Sequence, residues 1–160
     1  DLADFQAQTG YLVQNTQLLD MNYIVNHIGK KTTSNVTADG TLKDAAHKVF
    51  RGSIDFKRGA SGAKGTESEQ VLLLGDDVIN QTIPLILCAE EDVEGNHGAA
   101  IGELDEETLL YFAARGIDKK HAEDIMTRAK LELLTHKIYD EETKEFAEEQ
   151  LSEVLTDDSL

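Results

Sequence analysis

The chain has 160 residues, enough for one domain with a sizeable core, or one with a small appendage. Its formal charge is −16, with fifteen acidic against eight basic side chains in residues 1–103 and sixteen against seven in residues 104–160. That balance repels phosphate backbones. With no basic stripe interleaved with aromatics, it argues against nucleic-acid binding.

A single cysteine cannot close an internal disulfide, and no CxxC zinc spacing exists, which fits a reducing compartment. The longest apolar runs, Val71–Leu74 and Ile83–Ala89, are far too short for a bilayer span. No charged-then-apolar leader opens the chain, and the start at Asp1 rather than methionine reads as a fragment of a longer protein.

Residues 11–102 read as many brief strands: Tyr11–Val13, Tyr23–His27, Ser34–Thr37, Lys48–Phe50, Ser53–Phe56, Val71–Leu74, Val78–Ile83, Leu85–Cys88 and Ala99–Ile101. Each is bounded by clusters of Gly, Asp, Asn or Lys, and no useful helical period interrupts them. A hairpin-built sandwich and a solenoid of stacked rungs both fit; the short, turn-separated runs favour the solenoid. Arg58 to Thr66, RGASGAKGT, reads as a mobile polar excursion.

The period changes at Leu104. Asp105 is a good N-cap, Glu106 and Glu107 suit the positive end of a helix dipole, and Leu104 and Leu109 have hydrophobic-staple spacing. Leu109, Leu110, Phe112 and Ala113 are the expected buried stripe, with Gly116 ending the helix. Asp118 repeats the entry device, and Ala122, Ile125, Met126, Ala129, Leu133 and Leu134 continue at helical spacing. A third helix over Glu141 to Leu155 carries Phe146, Gln150, Leu151 and Val154 on one face opposite an acidic one. The last five residues read as frayed. The domain division expected is 1–103 and 104–160.

His97, in Gly95-Asn96-His97-Gly98-Ala99-Ala100, is the leading candidate site residue. Imidazole ligates metals and titrates near neutrality, and small neighbours would let another group or subunit approach the ring. The alternative is a structural histidine satisfied by backbone groups near a strand end. Cys88, in an apolar run, reads as buried and inert. His27 is a conceivable second ligand that nothing in the sequence brings near His97, and His47, His121 and His136 read as surface or helix-face residues.

The acidic runs Asp76-Asp77 and Glu90-Glu91-Asp92 supply carboxylates of the kind glycoside hydrolysis uses, yet they sit where turns need Asp. Gly59 to Thr66 lacks the Gly-Lys-Ser/Thr ending of a phosphate loop.

Taken in order, the chain resembles the C-terminal part of the SufB/SufD family of iron–sulfur cluster assembly proteins. The resemblance runs from Tyr23 to Met126. It rests on His27-Ile28-Gly29-Lys30-Lys31-Thr32, Val49-Phe50-Arg51-Gly52-Ser53-Ile54, Leu72-Leu73-Leu74, Thr82-Ile83-Pro84, Asp92-Val93, His97 to Gly102, Leu104-Asp105-Glu106 and Tyr111 to Ile117.

The resemblance implies a right-handed parallel β-helix followed by a small helical domain, in a cytoplasmic, non-enzymatic scaffold subunit. It implies pairing with a SufB-like subunit through Val78 to Gly102, Pro84 included. It also implies docking of a SufC-like ATPase on the helices, with Leu109, Tyr111, Phe112 and Arg115 as contacts. His97 matches the family histidine tied to a transient iron–sulfur cluster, which is expected in the assembled complex and not on the isolated chain.

SufB-type members carry a cysteine where this chain has Val78, and glutamates where it has Asn96 and Gly98, so the chain is SufD-like. SufD relatives often have a cysteine where this chain has Gly95. Alone, the chain is expected to form a homodimer. The competing readings are a β-helix carbohydrate-active enzyme and a structural oligomerisation module.

Overall fold

The computed structural model describes residues 1–157. Seven strands come first: β1 (Asp4–Val13), β2 (Leu18–His27), β3 (Thr33–Lys43), β4 (His47–Phe56), β5 (Ala63–Leu74), β6 (Ile79–Cys88) and β7 (Val93–Gly102). Odd strands form one parallel sheet in the order β1-β3-β5-β7, and even strands form a second in the order β2-β4-β6. The chain thus winds as a parallel β-solenoid of about three turns, two strands per turn.

Stacked residues are offset by 29, 29, 31, 32 and 30 positions along the five strand pairs. Corners recur with the same step. Leu2, Lys31 and Gly62 occupy the left-handed backbone region at one corner, Asn15 and Asp44 at the other. Backbone bonds run between successive corners, from Lys31 N–H to the Ser61 carbonyl and from Gly62 N–H to the Asp92 carbonyl.

The strands are longer and fewer than the sequence patches suggest. Lys48–Phe50 and Ser53–Phe56 are one strand, as are Val78–Ile83 and Leu85–Cys88 apart from Val78, which precedes β6. The segment 58–66 is no mobile excursion. It is a tight corner leading into β5, with Ala60 and Ala63 fully buried.

The space between the sheets holds two apolar clusters. Tyr11, Val13, Leu42, Phe50 and Val71 fill one end of the cross-section; Ile54, Phe56, Ala60 and Ala63 fill the other. Each buried Val, Leu, Ile or Phe side chain among these is worth about 1.5–3 kcal/mol. Polar groups also point inward. Lys48 and Glu69 are fully buried and paired, with Tyr11 and Thr82 donating hydroxyls to the same carboxylate.

Three helices follow: α1 (Glu106–Ala113), α2 (Lys119–Thr135) and α3 (Glu141–Asp157). Asp105 and Asp118 cap as expected, accepting from the N–H groups of Thr108 at 2.6 Å and His121 at 2.9 Å. Gly116, at φ +77°, closes α1 with the paired N–H bonds Gly116 to Ala113 and Ile117 to Phe112.

The buried faces differ from expectation. No residue of α1 is buried, and Leu110 is 70 % exposed. Helix α2 buries Ala122, Thr127, Leu131 and Thr135, and lays Leu134 over Gly10 of β1, leaving Ile125 and Leu133 exposed. On α3, Phe146 and Val154 face out, while Leu155 is buried. Packing of α2 on β1 and β3, and of α1 and α3 on α2, decides which face turns inward, and helical period alone does not reveal it. Lys43 of β3 and Asp124 of α2 meet at 2.9 Å where α2 packs on β3. Of the five C-terminal residues read as frayed, 158–160 lie outside the described residues.

Candidate functional site

From Ala63 to Val71 strand β5 alternates strictly, with Ala63, Gly65, Glu67, Glu69 and Val71 buried. Register sets Val93, Gly95, His97, Ala99 and Ile101 of β7 directly beyond them, so these five face the interior too. Thr82, Pro84, Ile86 and Cys88 of β6 stack in the same way on Phe50, Gly52, Ile54 and Phe56. Among the described residues no rung covers this layer, and β6 and β7 are the outermost strands of their sheets. The inward face of the last rung is therefore the open end of the solenoid. Ile86 and Ile101 are exposed along it, and Ile83, Leu85 and Leu87 are exposed on the outer face of β6 beside it.

One layer below, the Glu67 carboxylate lies against Gly52. A Cβ added at Gly52 would sit 1.9 Å from Glu67 Oε2, so only glycine leaves room for the acid. Because Pro84 stacks on Gly52 and His97 on Glu67, Pro84 and His97 oppose each other across the terminal rung. His97 Nδ1 lies 3.6 Å from Glu67 Oε1; the imidazole is one-quarter exposed and the carboxylate almost wholly buried. Oε1 of Glu67 has no hydrogen-bond partner.

Burial pushes the Glu67 carboxyl above its ordinary range, and nearby Glu69 acts in the same sense, while His97 pulls the other way. The arrangement joins a buried carboxylate to an imidazole that reaches an open surface. Such a ring can accept a soft metal or exchange a proton there. Among the described residues no group of three or more His, Cys, Asp or Glu side chains converges as a metal site. His97 offers one ligand, and the described residues supply no complete set around it.

The profile of the SUF system iron–sulfur cluster assembly SufBD core domain matches residues 1–130. The chain belongs to the SufBD core family. Similar relatives are the iron–sulfur cluster assembly protein SufD of Bacillus subtilis (strain 168), 33 % identical over 100 residues, covering 62 % of this chain and 23 % of that protein. A chloroplastic iron–sulfur cluster assembly SufBD family protein of Arabidopsis thaliana is 31 % identical over 111 residues, covering 69 % of this chain and 20 % of its own length. A SufBD family protein of Staphylococcus saprophyticus is 26 % identical over 122 residues, covering 76 % and 26 % respectively. The chain spans about a fifth to a quarter of the length of these curated relatives. The match to the SufBD core takes in all seven strands, α1 and most of α2.

Within this SufBD core, Cys88 is exposed, not buried as its apolar run suggests, because burial would need one more rung. It lies four residues along β6 from Pro84, about 13 Å at the usual strand rise, so it does not join His97. His27 is a structural residue. It is buried, its ring nitrogens meet Thr32 Oγ1 at 2.7 Å and Ser34 Oγ at 2.9 Å, and its ring stacks on Phe56 at 4.8 Å. His121 is exposed and paired with Asp118, and His136 is exposed on the helical side. His47 is half-buried at the start of β4.

The acidic runs hold corners: Glu90 accepts from the Gly59 N–H at 2.9 Å and Asp92 from Ser61 Oγ at 2.7 Å. Val78 is half-buried and packs on the larger apolar cluster, whereas Pro84 is exposed on the terminal rung.

On α1, Tyr111 is exposed, Leu109 and Phe112 are half-exposed, and the Arg115 guanidinium lies 3.5 Å from the Tyr111 ring centroid. No helix among the described residues is long and apolar enough to cross a membrane. Sequence reasoning missed Glu67 and its glycine shelf at Gly52. The signal was available: period-two alternation read backwards from Val71 puts Glu69 and Glu67 on the inward face.

Proposed function

We propose that this chain is a portion of a SufD-like, non-enzymatic scaffold subunit of a cytoplasmic SUF-type iron–sulfur cluster assembly complex. The observation carrying the reading is His97 on an uncovered inward face, beside two free strand edges. A partner solenoid adding its own last rung would cover the apolar residues of β6 and β7 and would enclose the imidazole in a dry crevice. A nascent cluster needs thiolate or imidazole ligands in such a crevice. His97 would give one ligand to this transient cargo, and a SufB-like subunit meeting the Val78 to Gly102 face at Pro84 would give the sulfur ligands.

The helices give the complex a second surface. Tyr111, braced by Arg115, stands with Leu109 and Phe112 on a face that the solenoid leaves uncovered, which suits docking of a SufC-like ATPase. The division expected from sequence, a solenoid over 1–103 and a helical unit over 104–160, assigns one partner to each.

Anaerobic reconstitution with iron and sulfide beside the SufB-like subunit tests the reading. His97→Ala should lose cluster formation while the subunits still associate. An unchanged cluster yield would leave a purely structural oligomerisation module as the correct description.

A further inference from the structure

We infer that Glu67 is a positioning residue for His97: the buried carboxylate beneath the terminal rung holds the ring by Nδ1, so that Nε2 faces the open end as the ligating atom. This deepens the proposed role of His97 and rests on it.

Several observations converge. Glu67 is almost wholly buried, and its Oε1 has no hydrogen-bond partner while lying 3.6 Å from His97 Nδ1. Burying a carboxylate oxygen without a donor is costly, so the site is incomplete unless the ring supplies one. A shift of about 0.6 Å brings the pair to ordinary hydrogen-bond length.

Two neighbours of the ring do not compete for Nδ1. Pro84, opposite, has no polar side-chain atom, and the Asn96 side chain is turned to Glu94 at 3.3 Å. Gly52 preserves the space that the carboxylate occupies. A carboxylate bonded to one imidazole nitrogen fixes tautomer and ring orientation and makes the other nitrogen a better ligand; losing such a partner typically costs about 10–100-fold in metal affinity.

The test is long-range proton–nitrogen NMR on the full chain labelled with nitrogen-15, at neutral pH and without iron, with His97→Gln identifying the His97 signals. Expected is a proton on Nδ1 and a lone pair on Nε2 in the wild type. Glu67→Leu should exchange the two resonance types, and Glu67→Gln, whose amide oxygen still accepts, should retain the wild-type pattern. A wild-type proton on Nε2, or no change in Glu67→Leu, overturns the inference. If Glu67→Leu does not fold, the wild-type tautomer decides alone.

Reconstitution beside the SufB-like subunit adds a second readout, with cluster yield down about 10–100-fold in Glu67→Leu and largely restored in Glu67→Gln. The two ideas fail separately. Normal cluster yield in His97→Ala removes the ligand role yet leaves the tautomer result standing. The wrong tautomer removes the positioning role alone.

Discussion

Lys48 of β4 and Glu69 of β5 meet inside the solenoid with neither side chain exposed, and the Lys48 ammonium lies 5.7 Å from the ring centroids of both Tyr11 and Phe50. Tyr11 Oη donates to the same carboxylate at 3.0 Å, and Thr82 donates from β6. Residues from four strands, β1, β4, β5 and β6, thus meet at one buried charge pair.

That sharing makes the pair costly to break singly. Lys48→Met strands Glu69 without its cation and should cost about 3–5 kcal/mol. The double variant Lys48→Met with Glu69→Leu should regain most of the loss, because no lone charge remains. Urea unfolding of the three proteins measures both values.

Gly52 is the shelf for Glu67. Gly52→Ala puts a methyl group inside the carboxylate and should destabilise by about 1–3 kcal/mol through overpacking. Adding Glu67→Ala should relieve it. Additive losses in thermal melts of the single and double variants would show that the two positions do not share space.

His27 makes stability depend on pH. Burial holds its imidazole below the ordinary value of 6.5, so the native state favours the neutral ring. Its stabilising contribution is complete above the unfolded value and is lost as pH falls through the lower native one. Melting temperature should therefore decline below about pH 6.5 in the wild type, and less steeply in His27→Gln. Parallel slopes for the two proteins would assign the decline to other groups.

The uncovered rung should drive self-association. Without a partner subunit, the chain is expected to dimerise at tens of micromolar through β6 and β7, where Leu85 is 48 % exposed. Leu85→Lys should shift sedimentation toward monomer, and its melting temperature should match that of wild type diluted to the monomer. A wild-type monomer would point to a protected end.

The solenoid was legible from its short, turn-separated strands, but the length and number of those strands were not. Period-two reading failed where inward positions are Gly52, Glu67, Glu69 or Lys48, since polar and glycine residues at core sites break the apolar alternation. The helix starts at Asp105 and Asp118 were legible because capping is local chemistry. The exposure of α1 and the buried faces of α2 and α3 were not, because neighbours set them. His97 was found from its small flanking residues. Its partner Glu67 was not, because thirty residues and a full turn of chain separate them.

The corners absorb one to three residues of difference while the strands keep their pairing, so the step of 29 to 32 residues has a bearing on ancestry. A single-residue insertion within a strand would turn every later side chain to the wrong side of the wall. Loss or duplication of a whole turn would preserve phase and hand the next turn an intact template. Length in this architecture can thus be inherited by the coil, while the last turn keeps its own chemistry.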